Sequence, residues 1–167
     1  TVVGDGVERK DLQDLVASLG IEKAVTFTGW VTREEVLAQL GRADVFVFPS
    51  LREFGGAVVF EALALGAVPV VADFGGPGDI VTPEIGYKLR LTNEADLIRD
   101  LTAILNRLAQ DSGHLDKLRR NGMNYARTHL TWDGKARTVT KVLQWVTGNG
   151  PKPNLPPPTR QGAAAAS

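Results

Sequence analysis

The chain of 167 residues has no cysteine, one methionine and two histidines. Without thiols it has neither a disulfide framework nor a thiolate nucleophile, which fits a reducing compartment and an expected cytoplasmic setting. No Asp-x-Asp and no paired histidines occur, so no metal site is supported, and neither metal nor cofactor is expected to be required. Charge of one sign is lacking too. Nineteen Lys and Arg balance nineteen Asp and Glu, so no overall field draws nucleic acid to the chain. No apolar run approaches the roughly 18 residues that would cross a bilayer.

What is present is a strand, glycine turn, helix order that repeats. Short apolar runs predict buried parallel strands at Thr1–Val3, Val25–Thr28, Asp44–Phe48, Val68–Ala72 and Tyr87–Leu91. Helical spacing predicts helices at Glu8–Leu19, with Leu12, Leu15, Val16 and Leu19 on one stripe, and at Arg33–Arg42 behind the capping box Thr32-x-x-Glu35. Ala57–Leu65 is apolar almost all round and is expected to be a buried helix. Glu94–Gln110, Leu115–Thr128 and Trp132–Val146 follow, the last capped by Thr131. The expected fold class is α/β, a Rossmann-like parallel sheet with flanking helices. Residues 1–147 read as one domain. Residues 148–167 hold five of the nine prolines and the run Ala163–Ala166, a composition expected of a disordered tail.

In such sheets ligands bind beyond the carboxyl ends of the strands, on loops and helix N-termini. The segment from Pro49 to Gly66 has that form: a strand end, a loop with Gly55 and Gly56, then a helix. Unpaired N–H groups at the helix start and the dipole behind them suit a phosphate or diphosphate. Two carboxylates flank that point. Glu53 lies in the loop and Glu61 about one turn into the helix, where apolar neighbours would desolvate it unless donors such as sugar hydroxyls satisfy it. A solvated loop charge at Glu53 and a dipole partner at Glu61 is the blander alternative. Arg52 reads either as a phosphate neutraliser or as a solvated arginine. Trp30 reads either as a group that stacks on a base or meets an acceptor, or as a packed loop aromatic. Gly75 and Gly76 are expected in a tight turn, His114 and His129 on the surface, and Trp132 and Trp145 in amphipathic packing.

The segment Glu53 to Glu61 resembles the Glu-x7-Glu motif of glycosyltransferase family 4, retaining transferases of GT-B fold. Val2-Val-Gly-Asp-Gly-Val-Glu-Arg9, Val25-Thr-Phe-Thr-Gly-Trp-Val31, Ala43-Asp-Val-Phe-Val-Phe-Pro-Ser50, Gly66-Ala-Val-Pro-Val-Val-Ala72 and Gly75-Gly-Pro-Gly-Asp-Ile-Val81 resemble further family motifs in the same order. The resemblance implies the C-terminal, nucleotide-sugar-binding half of that fold, with a UDP- or GDP-sugar as donor. It gives Glu61 the ribose and Glu53 the transferred sugar, as the catalytic-site carboxylate. It gives Phe54, Gly55, Gly56, Ala57 and Val58 the sugar and diphosphate through their amides, and Gly4, Gly29 and Val31 the nucleotide and base. Phe54-Gly55-Gly56 stands where the family commonly has Gly-Phe-Gly.

The family's Gly-Arg-x(n)-Lys-Gly segment has no match here. It would precede Thr1, together with the first strand of this domain and an acceptor-binding domain through which any peripheral membrane association would run. Two expectations follow. The chain alone should be inactive, and strands flanking the missing one should have open edges that a second chain or a strand-swapped dimer would fill. A non-catalytic nucleotide-sugar-binding module and a nucleotide-sugar epimerase of GT-B architecture are the rival readings. An epimerase needs acid and base groups around the sugar ring that the two glutamates alone do not supply.

Overall fold

A computed structural model describes residues 1–53 and 55–154. Phe54 and the proline- and alanine-rich stretch from 155 onward, part of the expected tail, lie outside the described residues. The chain divides into two compact units, Thr1–Gln39 and Leu40–Ser167.

In the first unit α1 (Arg9–Ser18) and α2 (Arg33–Leu40, which ends one residue into the second unit) follow the expected helical pattern. The capping box forms in both directions. The Thr32 N–H donates to Glu35 Oε2 at 2.8 Å and the Glu35 N–H to Thr32 Oγ1 at 3.3 Å. The first two expected strands are only partly realised. Val2 and Phe27 form one parallel bridge, Gly4 and Gly29 one antiparallel bridge. The positive φ of Gly4 (116°) and Gly29 (68°) turns both chains out of extended geometry before a ladder can grow. The apolar stripe of α1 buries none of its residues.

The second unit is built on β1 (Val45–Phe48), β2 (Val68–Ala72) and β3 (Tyr87–Leu89), parallel and in the order β1-β2-β3. Val45 is in register with Val68, and Ala72 with Leu89. Every residue of β2 is buried, as a strand covered on both faces requires. Its side chains alternate. Val71 joins Val59, Leu63, Val81, Ile85 and Ala126 in one core, while Val68 and Val70 join Leu89, Leu108 and Leu118 in another. The first core rests on α3 (Ala57–Leu65), the second on α5 (Glu94–Gln110) and α6 (Ser112–Tyr125). Among the described residues β1 pairs with β2 alone.

Helix α3 departs from the expectation of burial all round. Val59, Ala62 and Leu63 are buried, but Ala57, Ala64 and Leu65 are exposed. One face suffices because α3 lies on one side of the sheet and α6 covers only part of the remainder. Arg119 of α6 holds that packing: its Nε donates to the Gly66 carbonyl at 3.1 Å and its Nη2 meets Asp44 Oδ1 at 2.5 Å. Where the tight turn was expected, a short helix α4 (Gly75–Ile80) forms. Its glycines are poor helix formers, and burial of Pro77 and Gly78 overrides that propensity. After α6 the chain continues through a π-helical turn, Ala126–Leu130, into α7 (Trp132–Val146). Thr131 caps α7 as expected, accepting from the Gly134 N–H at 3.1 Å. Trp132 does not pack as expected, being 90% exposed; Trp145, on the flank of the buried Gly134, is 41% exposed and has the Lys152 ammonium 5.5 Å from its ring centre. His129 is exposed as expected, whereas His114 is half-buried with Nε2 2.8 Å from the Tyr87 hydroxyl. No helix among the described residues is long and apolar enough to cross a membrane.

Gly86 tests this packing. A Cβ there would stand 2.4 Å from the Pro69 carbonyl oxygen and 3.0 Å from Val81 Cγ1. A backbone oxygen in the central strand cannot swing away, so Gly86→Ala is expected to lose about 1–3 kcal/mol in urea denaturation. Gly113→Ala has only an ordinary contact to meet and is expected to be neutral or to gain up to ~1 kcal/mol.

Candidate functional site

The loop between β1 and α3 carries most of the candidate residues. Its chain direction is set by Gly56, which precedes the helix in a left-handed conformation with φ 62°. The Glu53 side chain folds back onto this turn. Its Oε1 accepts from the Gly56 N–H at 2.9 Å and from the Gly55 N–H at 3.1 Å. Two of the amides expected to meet a ligand are thus engaged by the neighbouring candidate carboxylate. The N–H groups of Ala57 and Val58 lie in the first turn of α3, where a helix has no preceding turn to accept them. Glu53 is half-buried, Gly56 buried, Gly55 and Ala57 exposed, and Val58 half-buried. Phe54 is outside the described residues.

A second glycine-rich stretch presses against the first. A Cβ on Gly75, whose φ is 56°, would lie 2.6 Å from the Glu53 carbonyl oxygen. A Cβ on Gly56 would lie 2.9 Å from Pro77 Cγ. The loops that leave β1 and β2 therefore meet where only glycine fits. Sequence reasoning gave Gly75 a turn near the site but not this contact, and the positive φ is the reason a glycine stands there. Lys88 of β3 braces the same loop. Its Nζ lies 3.0 Å from Asp73 Oδ1 and donates to the Gly78 carbonyl at 3.2 Å. Lys88 and Asp73 were not among the candidates; a charge inside a short apolar strand was the available signal.

Glu61 is placed differently. It is half-buried on α3, on the flank that one helical turn shares with Ala57, Ala64 and Leu65. It lines a groove of about 310 Å³ with Phe60, Ala64, Met123, Arg127 and Leu130. The structure thus gathers Glu53, Gly55, Gly56, Gly75 and Pro77 tightly around the start of α3, with Glu61 farther along the same helix. Arg52 is exposed. Among the described residues no group of three or more His, Cys, Asp or Glu side chains comes together.

The remaining candidates belong to the first unit. Gly4 and Gly29 are joined there, the Gly4 N–H donating to the Gly29 carbonyl at 3.0 Å. Arg9, paired with Asp5 at 2.7 Å, lies over Gly29: a Cβ on that glycine would be 2.9 Å from Arg9 Nη1. Val31 is half-buried two residues on, and Trp30 is 84% exposed.

Comparison with known proteins agrees with this architecture. Over 132 residues the chain is 33% identical to the MMP alpha-(1->4)-mannosyltransferase of Mycolicibacterium hassiacum, covering 79% of this chain and 32% of that protein. Among solved structures it is similar to the sucrose-phosphate synthase of Thermosynechococcus elongatus, with 26% identity and a TM-score of 0.67 over 86% of this chain and 35% of that one. In fold alone, at 23% identity and a TM-score of 0.68, it is similar to Anabaena HepE solved with UDP-glucose, over 86% of this chain and 40% of that one. The chain spans about a third of the length of the curated relatives it matches. Its α/β architecture is that of the GT-B glycosyltransferases. Residues 1–128 match the profile of the glycosyl transferases group 1, and the chain belongs to that family.

Proposed function

We propose that this chain binds a nucleoside diphosphate sugar at the start of α3 and supplies the donor half of a retaining hexosyl transfer. In the whole protein a sugar would pass from a UDP- or GDP-sugar to an acceptor hydroxyl held by a further domain, and the chain alone would not complete the reaction. HepE was solved with UDP-glucose, which supports a donor of this class.

The observation that carries the reading is the Glu53 carboxylate held by the Gly55 and Gly56 amides at 3.1 and 2.9 Å. A carboxylate accepts about four hydrogen bonds. With one oxygen fixed by the backbone, its remaining lone pairs are pre-aimed acceptors for hydroxyls of the transferred sugar. The diphosphate then meets the Ala57 and Val58 amides and the positive end of α3. As the bond from the anomeric carbon to the phosphate oxygen breaks, charge develops on that phosphate, where fixed amides stabilise it without a metal. The acceptor oxygen bonds to the anomeric carbon on the same face, and its proton passes to the departing phosphate. Retention follows with no enzymatic nucleophile. Glu61 takes the ribose diol from the side of the groove it lines.

Two measurements test this. Calorimetry with UDP, GDP and UDP-glucose on Glu61→Gln is expected to show affinity reduced at least about tenfold, since charge-assisted hydrogen bonds to hydroxyls are lost; unchanged affinity in a folded variant removes Glu61 from the site. Gly75→Ala adds a methyl in a left-handed backbone against the Glu53 carbonyl. It is expected to cost about 1–3 kcal/mol and to weaken donor binding by displacing Glu53, although Gly75 itself contacts no ligand in this reading. Full donor affinity at full stability would show that the meeting of the two loops does not position Glu53.

A further inference from the structure

Alternation along β3 puts Lys88 where an apolar residue would be expected. Leu89 is buried in the second core and Tyr87 packs against it, so the side chain between them belongs to the other face of the sheet. Lys88 is in register with Val71, which lies in the first core. An ammonium on that face is costly unless it finds acceptors. It finds two, Asp73 Oδ1 at 3.0 Å and the Gly78 carbonyl at 3.2 Å. The first precedes α4 and the second lies within it. Asp73 is itself tied to β3, its N–H donating to the Leu89 carbonyl at 2.8 Å.

Helix α4 needs such an outside hold. Three of its six residues are glycine, poor helix formers, and Phe74 at its N-cap makes no side-chain cap. The Gly78 carbonyl is among the last four of the helix, which have no following turn to donate to them. A lysine ammonium there also meets the negative end of the helix dipole. The Lys88 and Asp73 side chains are 32% and 49% exposed, so their ion pair adds little to global stability. Its consequence is where α4 lies.

That placement reaches Glu53 at two points. Gly75 approaches the Glu53 carbonyl, and Pro77 backs Gly56, whose N–H holds the Glu53 carboxylate at 2.9 Å. Both the backbone of Glu53 and one of its two amide anchors therefore rest on α4. The Ala57 and Val58 amides belong instead to α3, which Val59 and Leu63 anchor in the first core. Glu61 stands on α3 as well, beside a groove completed by Met123, Arg127 and Leu130.

On the reading of Glu53 as the carboxylate that holds the transferred sugar, we infer that Lys88 is a positioning residue for that sugar. It acts through α4 on Glu53 and touches no part of the donor. The sugar's share of donor affinity depends on Lys88, and the nucleoside diphosphate's share does not.

The ratio of the UDP to the UDP-glucose dissociation constant, from calorimetry on the 167-residue chain, isolates what the sugar contributes; GDP with GDP-mannose gives a second pair. Glu53→Ala is expected to lower the ratio at least about tenfold and Lys88→Met about fivefold, the scale of a hydrogen bond to a charged group. Affinity of the Lys88→Met chain for the bare nucleotide is expected to stay within about twofold of the parent, since a partly exposed ion pair holds little energy. Lys88→Arg, which supplies N–H donors for the same two acceptors, is expected to keep the parent ratio. In the Glu53→Ala background Lys88→Met should lower the ratio no further, because both changes act on one contact. Circular dichroism checks folding, and Lys88→Gln takes the place of Lys88→Met should the latter not fold. A ratio that Glu53→Ala leaves unchanged for both pairs overturns the reading of Glu53, and the role of Lys88 with it. Three results overturn the role of Lys88 alone: a ratio that falls in Glu53→Ala but not in the Lys88 variant, equal losses for nucleotide and nucleotide sugar, or a further fall in the double variant.

Discussion

Two missing Cβ atoms hold the candidate site together. Gly75 admits the Glu53 carbonyl and Gly56 admits the Pro77 ring, at separations no side chain would tolerate. Because β1 and β2 are adjacent and parallel, the loops that follow them leave the same edge of the sheet. Their close approach converts two separate strand ends into one cluster of backbone donors. Everything proposed for the donor depends on that approach, since it fixes where Glu53 stands and therefore where its carboxylate can reach.

The approach is supported from below. The β2 strand has no exposed residue, and its alternating side chains anchor cores on both sides of the sheet. A strand so confined cannot slide by one residue without exchanging its two faces, so the loop that leaves it starts from a fixed point. Lys88 then ties that loop to β3 through Asp73 and the Gly78 carbonyl. These are partly exposed interactions and contribute little energy individually. Their effect is geometric: they limit where Gly75 can lie.

Much of this was legible in the residues, and the failures have physical causes. The bounds of α3, α5 and α7 could be read from periodicity and caps because helical signals are local. Strand pairing is not local. Val2 and Phe27 look like core strand residues, but glycines at 4 and 29 with positive φ end their pairing after single bridges. Helix α4 escaped notice because three of its six residues are glycine; burial of Pro77 and Gly78, invisible to propensity, forms it. Trp132 of α7 misled for the opposite reason. Amphipathic spacing shows that a stripe exists, but not whether the protein's own core lies beneath it. In the site, the pattern picked out Glu53, Gly55, Gly56 and Glu61 as residue types. That the first binds the amides of the next two is a matter of side-chain rotamer and turn geometry, which spacing does not encode.

The two carboxylates end up with different mechanical status, although one motif contains both. Glu53 is held by amides only two and three residues along its own chain, so its orientation is set by local backbone and needs no ligand to form. Glu61 is carried on a helix flank, beside a groove whose other wall is the π-helical turn with Arg127 and Leu130. Its surroundings therefore depend on the packing of α3 against the chain after α6. A group fixed by its own turn suits the reacting sugar, where a small error in position is costly in rate. A group whose setting is assembled from distant elements suits recognition of the nucleoside, where binding energy can tolerate adjustment. This division makes the glycine contacts a constraint on chemistry and the α3–α6 packing a constraint on affinity.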